Sequence, residues 1–347
     1  MAKIIVNKEV GFFDQELRAQ SLQERDPLYK LDLAMDWSPF EKMLEEGFAK
    51  ELKNNAGRPR YGYLMMFKIS VLQRYYNMSD EQAEFQIKDR LTFQKFLGLS
   101  AVDDVPDART IWLFREKLAD AGLERKLFDM FVGFLKDQQL IAKEGKIIDA
   151  SFVEVPRQRN SREENAQIKK GETPEAWKNQ MNKLRHKDVD ARWTKKNQET
   201  YYGYKDHVKS DVKNKFIENY TETDASVHDS QPVDQLTKKG DGALHADSAY
   251  QGEEIANDLA AKKIENHICE KGYRNHPLTE EQKQNNRLKS KIRCRIEHIF
   301  GFITNTMKGF YLRYIGRKRN RSAIGMINLV YNMFRYVQVS RKKSQLA

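Results

Sequence analysis

Three carboxylates and a cluster of basic residues are the groups in this chain best suited to chemistry on a phosphate. Asp149 stands in "KIIDASFVEV", Asp247 in "GALHADSAYQG" and Glu297 in "KIRCRIEHIFGF". Asp149 closes the apolar half of a strand-like run, and Asp247 ends another just before a turn, so both are expected at strand ends. Glu297 falls in a helical segment whose other charges are Lys291, Arg293 and Arg295. Carboxylates held at a fixed separation are what two-metal phosphoryl transfer needs, with two Mg²⁺ ions about 3.5–4 Å apart, one activating the attacking oxygen and one stabilising the leaving oxygen. Each also has an ordinary structural role open to it. The aspartates suit turns and helix N-caps, and Glu297 suits an ion pair with Arg293, one helical turn earlier. That pair runs Arg before Glu, the weaker orientation on a helix, and contributes only about 0.2–0.5 kcal/mol.

The elements that must position these groups follow from the apolar spacing. Ile292, Ile296, Ile299 and Ile303 form one stripe of a helix spanning about 280–308, which should pack on a sheet. Arg293 and Glu297 lie beside that stripe, and Gly301 leaves room one turn further on, so Arg293 is placed to hold a phosphate near Glu297. Upstream, residues 62–76 read as an amphipathic helix from Leu64, Phe67, Val71, Leu72 and Tyr75. Ser79 with Gln82 forms a capping box opening a helix that runs to about residue 96. Asp107 N-caps the next helix, Gly122 ends it, and a fourth covers about 123–139. The first 140 residues are therefore expected to be helical. Strand-like runs then follow at "KIIDASFVEV", "YYGYKDHVKS", "KFIENYTETDA", "GALHADSAYQG" and "KIENHICEKG". Between the first two, residues 157–200 are polar despite Trp177 and Trp193, and read as an insertion or flexible excursion. A last helix spans 321–338. This order describes an α/β domain with a mixed sheet. The expected division is 1–140 for a helical N-terminal domain, 141–340 for the catalytic domain with its insertion at about 157–200, and 341–347 for a basic tail.

Charge adds a partner class. The 347 residues carry a net charge of +11. Between positions 281 and 347 there are sixteen Lys and Arg against two acids, so the excess sits at one end, which suits a polyanion and nucleic acid above all. No apolar run is long enough for a membrane span, and no secretory signal opens the chain. Cys269 and Cys294 have no metal-ligand spacing, and the histidines are scattered, so a reduced cytosolic chain without zinc is expected.

"IIDAS", "LHADSAYQG" and "RCRIEHIFG", in this order, resemble the three blocks of bacterial insertion-sequence DDE transposases of the IS-five kind. "YNMSDEQAEFQIKDRLTFQKFLGL" and "VPDARTIWLFREKL" look like the N-terminal blocks of that family, and "YYGYKDHVKSD" and "TDASVHDSQP" like its middle strands. The resemblance covers roughly residues 30–340. It implies an RNase H-like mixed sheet flanked by helices after an all-helical N-terminal domain, with Asp149, Asp247 and Glu297 as a catalytic, metal-binding triad. It implies two Mg²⁺ ions, with Mn²⁺ able to substitute, cleavage of terminal inverted repeats and joining to target DNA. A homodimer on paired ends, in a cytoplasmic, nucleoid-associated enzyme, would follow. A related signature of Tyr, Arg, Glu and Lys at gaps of two, three and six residues is matched by Arg293 but meets Ser290 and Thr304 at its Tyr and Lys places, with Lys308 one helical turn later as a substitute.

The expected DNA contacts are Lys291, Arg293, Arg295, Lys308, Arg313, Arg317, Lys318 and Arg319, with Lys205 on a middle strand. Glu154 and Asp229 are spare carboxylates, and His298 a further neighbour. "GRPR" at 57–60 resembles a minor-groove hook but is the ordinary sequence of a helix start. Two rival functions stand beside transposition: an inactive DNA-binding protein derived from such an enzyme, and a two-metal nuclease that cuts without joining.

Overall fold

A computed structural model describes residues 25–49, 60–100, 102–274 and 276–346, with side chains through position 341. Among the described residues, seven helices come first: α1 (Pro27–Ala34), α2 (Ser38–Phe48), α3 (Tyr63–Tyr76), α4 (Asp80–Asp89), α5 (Leu91–Leu97), α6 (Ala108–Ala121) and α7 (Leu123–Asp137). Their starts obey capping rules. Asp26 accepts from the Leu28 N–H with Pro27 in the first turn, Ser79 and Gln82 close a reciprocal capping box, and Asp107 accepts from the Thr110 N–H. Gly122 ends α6 in the left-handed region at φ +58°. The single helix expected over 79–96 is broken at Arg90, where the backbone is extended. The Gln94 amide donates to the carbonyls of Ile87 and Lys88 and so satisfies the end of α4, while the turn buries Phe93 and Phe96. Gly57–Pro59 of the hook-like motif lie outside the described residues.

The sheet begins with β1 (Gly145–Glu154). Three short helices follow, α8 (Arg162–Lys169), α9 (Glu175–Lys178) and α10 (Met181–Arg185), then β2 (Arg192–Lys196), β3 (Glu199–Asp211) and β4 (Ile217–Asp224). After α11 (Val233–Leu236) come β5 (Ala243–Ala246), α12 (Glu253–Ala261) and β6 (Glu265–Ile268). β3 lies antiparallel to β1 and to β4, whereas β5 and β6 run parallel to β1. The order β4–β3–β1–β5–β6, with β2 extending the β3 edge, is the mixed sheet expected of an RNase H-like domain. The segment expected as an insertion or a flexible excursion is folded. Trp177 is fully buried and donates its indole N–H to Glu164 at 2.6 Å. Buried Asp188 accepts from the Tyr204 hydroxyl and from the backbone N–H groups of Ala191 and Gly316. A polar composition concealed this because the insertion is organised by hydrogen bonds around one Trp rather than by an apolar stripe.

The chain closes with α13 (Glu280–Arg293), a 3₁₀ turn at Cys294–Ile296, α14 (Glu297–Gly301), a π turn at Phe302–Thr306, and α15 (Arg317–Leu346). The uninterrupted helix expected over 280–308 is thus interrupted on both sides of α14. Ile296, Ile299 and Ile303 are nonetheless fully buried, so the stripe is as expected and only the winding differs. α15 starts earlier and ends later than expected. One face of the sheet (Ile147, Val153, Tyr204, Val208, Tyr220) shares a single core with that stripe, α15 and the N-terminal helices. The opposite face holds Ile148, Leu244, Ala246 and Tyr250 against α11 and α12. No helix among the described residues is long and apolar enough to cross a membrane.

Candidate active site

Strand register brings the two aspartates together. β1 and β5 are parallel, with Ile147 opposite His245 as their last paired residues. Two further steps along each strand place Asp149 beside Asp247, just past the point where pairing stops. The cap role foreseen for these aspartates is filled by Asp247 alone, and Asp149, expected at a strand end, lies midway along β1 because the strand continues to Glu154 against β3. Asp247 caps the 3₁₀ turn Ser248–Tyr250, accepting from the Ala249 N–H at 2.8 Å, and Asp149 Oδ1 accepts from the Ala150 N–H at 2.8 Å.

Glu297 joins through an arginine. Arg293 Nη1 lies 3.2 Å from Asp149 Oδ2 and 3.5 Å from Glu297 Oε1. The helical pair between Arg293 and Glu297 is therefore real, and the same guanidinium reaches a carboxylate on the sheet. Asp149 is largely buried while Glu297 is 59% exposed, so one end of the bridge is shielded and the other faces solvent. Burial, reinforced by neighbouring Asp247 and Glu297, pushes the Asp149 carboxyl up to about 6, against the opposing effects of the Ala150 N–H and Arg293. A Cβ on Gly301 would meet nothing nearer than Asn305 Nδ2 at 4.0 Å, so the helix face beyond Glu297 is open.

Two further groups border the carboxylates. Tyr250 is 1% exposed, and its hydroxyl makes no hydrogen bond among the described residues. Burial, then Asp149, Asp229 and Asp247, hold it protonated well above its ordinary range. Asp229 accepts from Lys205 Nζ at 2.7 Å. Tyr250 was passed over in the sequence because a tyrosine after a turn reads as core; the signal was its position, three residues beyond a candidate carboxylate.

Among the described residues, no three His, Cys, Asp or Glu side chains are grouped as metal ligands; the cation between Asp149 and Glu297 is Arg293. The donor chemistry nevertheless fits Mg²⁺. All three groups are hard carboxylate oxygens, and the repulsion that Asp247 and Glu297 add to the effect of burial on Asp149 is one that a cation relieves.

The basic residues divide. Lys291 is exposed on α13. Arg295 is exposed and donates to the Val212 carbonyl. Lys308 is exposed but stands beyond the helix, in a left-handed turn at φ +49°, with its carbonyl accepting from Asn77 Nδ2. Arg313 donates to the Asn77 carbonyl. Arg317, Lys318 and Arg319 pair with Glu222, Asp120 and Glu116. Lys205 is buried against Asp229 and the Val227 carbonyl. Glu154 pairs with Arg157, and Trp193 is 40% exposed against Tyr202.

A mixed sheet with one carboxylate midway along a strand and another just past the end of the parallel strand beside it, faced by a helix bearing a third, defines an RNase H-like α/β domain. Residues 142–333 match the family described as Transposase DDE domain, and residues 16–117 match Transposase domain (DUF772). The first match spans more than half of the chain, which belongs to the DDE transposases, the DNA transposases of mobile elements. Among solved structures, the chain is similar to a piggyBac transposase synaptic complex with hairpin DNA, at 14% identity and a TM-score of 0.48, over 92% of this chain and 76% of that one.

Proposed function

We propose that this chain cuts the ends of an insertion sequence and joins them to target DNA, with Asp149, Asp247 and Glu297 as the catalytic carboxylates. The observation that carries this reading is their convergence, by strand register for the aspartates and through Arg293 for Glu297. The three would hold two Mg²⁺ ions, with Mn²⁺ able to substitute. When bound, such ions supply an activated water or 3′-hydroxyl and stabilise the departing oxygen. Arg293 offers its guanidinium to the oxygens of the phosphate in the same cleft. Tyr250 keeps the floor beneath the aspartates dry. The freed 3′-hydroxyl then attacks target DNA in line, without a covalent protein–DNA intermediate. Residues 1–140 serve as the end-binding and dimerisation domain and residues 141–340 as the catalytic domain. Lys291, Arg295, Lys308 and Arg313 reach phosphates from the exposed side, and a homodimer pairs the two ends.

The test compares wild type with Glu297→Gln on labelled duplexes carrying the element end, with Mg²⁺ or Mn²⁺. Wild type is expected to nick the end and transfer it to a plasmid; the variant should bind equally and do neither. Cutting by the variant at the wild-type rate would reduce Glu297 to the partner of Arg293. Wild-type cutting without transfer would indicate a nuclease, and binding without cutting under either metal an inactive relative.

A further inference from the structure

On the strand that carries Asp149, three residues further on and about 10 Å along it, Phe152 lies opposite Lys205. Two positions before Lys205 on the same face is Gly203, whose φ is +146° and whose added Cβ would sit 2.3 Å from the Val153 carbonyl oxygen. Only glycine fits there, because any side chain would run into the backbone of β1. The Phe152 ring stacks on Tyr201, with centroids 4.1 Å apart and planes 10° from parallel. Neither ring belongs to either hydrophobic core, and both are only half-buried. Two ammonium groups flank Phe152, Lys205 Nζ at 5.2 Å and Lys196 Nζ at 5.7 Å from its centroid. Asp229 pairs with both, closely with Lys205 at 2.7 Å and loosely with Lys196 at 3.9 Å, and the Lys196 side chain is 51% exposed.

A parallel aromatic pair left outside the core beside an exposed cation suits a base and its phosphate. The base must be unpaired, because inside a duplex both of its faces are covered by neighbouring pairs. We propose that the Phe152–Tyr201 pair is a stacking platform for an unpaired nucleobase of the DNA end, with Lys196 holding the adjoining phosphate. This rests on the transposase reading. Side chains alternate along a strand, so Phe152 lies on the face opposite Asp149, and the platform holds the unpaired base across the sheet from the carboxylates.

The probe is a short single-stranded oligodeoxynucleotide with a central 2-aminopurine, together with its fully paired duplex. Wild type is expected to quench 2-aminopurine in the single strand. Tyr201→Ala should weaken that binding about tenfold or more, the loss of one base–aromatic contact. Tyr201→Phe should bind as wild type, and all three should bind the duplex alike. Should Tyr201→Ala melt early, Tyr201→Leu replaces it, keeping bulk without a ring. Undiminished single-strand binding by the ringless variant, or an equal loss on the duplex, overturns the platform. The readout needs no cleavage. A chain that quenches through Tyr201 yet never cuts retains the platform and loses the end-cutting reading. A chain that cuts while its Tyr201 variants quench like wild type loses the platform alone.

Discussion

Arg293 touches two acids that the chain keeps far apart, and replacing it tests that link. Arg293→Ala leaves Asp149 buried beside Asp247 and Glu297 with its cation gone. A loss of about 1–2 kcal/mol at neutral pH is expected, less than the ~3–5 kcal/mol of a fully buried pair because Glu297 is mostly exposed. Mg²⁺ should then raise the urea midpoint more in the variant than in wild type, since it supplies the missing charge. Urea titrations with and without Mg²⁺ measure both effects, and unchanged stability would make the guanidinium a bystander. Asp149, Asp247, Glu297 and Arg293 stand out in the sequence because strand ends and helical spacing are local patterns. The Arg293–Asp149 contact is not local, and nothing in the spacing of either segment announces it. The same holds for Asp188, a lone acid in a polar stretch whose partners include Tyr204 and Gly316, and for Phe152 and Tyr201, which meet across β1 and β3.

At the scale of elements, β3 meets α15 through a polar pair inside the core. Asp206 is fully buried, and its Oδ1 accepts from Asn328 Nδ2 at 3.1 Å. Asp206 Oδ2 and Asn328 Oδ1 both lack a hydrogen-bond partner among the described residues. A proton on Oδ2 gives that pair the donor it is missing. Burial, with Glu222 nearby and against the Asn328 hydrogen bond, pushes Asp206 up to about 8 from an ordinary value of 3.8. The folded chain therefore holds a proton that the unfolded chain releases near pH 4. This contribution to stability is complete below that pH, falls as pH rises, and levels off above about 8, with a slope of at most about 1.4 kcal/mol per pH unit. Asp206→Asn supplies a permanent donor and is expected to remove that slope; a variant whose urea midpoints between pH 5 and 9 keep the wild-type slope would locate the proton elsewhere. Caps and apolar stripes made most helices readable, including the box at Ser79 and the stop at Gly122. Interruptions were not readable. The break at Arg90 depends on a side-chain amide one helix further on, and the 3₁₀ and π turns around Glu297 carry neither proline nor a glycine pair.

Over the whole molecule, α15 is the spine. Its apolar side joins the N-terminal helices and the sheet in one core, and its first turn is tied to both through Arg319–Glu116, Lys318–Asp120 and Arg317–Glu222. Part of the basic excess of the C-terminal segment is thus engaged within the fold, which a count of charges does not reveal because the acids lie on α6 and β4. Gly325 is where the spine comes nearest. A Cβ there would lie 2.5 Å from the Tyr220 hydroxyl of β4 and 3.1 Å from Glu124 Cγ of α7. Tyr220 packs edge-on against Phe128, and it is 5% exposed, so it has little room to retreat. Alanine is the better helix former by about 1 kcal/mol, yet overpacking of this kind costs about 1–3 kcal/mol. Gly325→Ala is therefore expected to destabilise the chain by up to about 2 kcal/mol. Because one core spans both halves, the loss should appear at the same urea midpoint for tryptophans of the helical half (Trp37, Trp112) and of the sheet half (Trp177, Trp193), followed in variants that keep one pair at a time. A gain in stability would show that the spine has room at Gly325. Separate midpoints, with only one displaced, would show that α15 couples the halves less tightly than its packing implies.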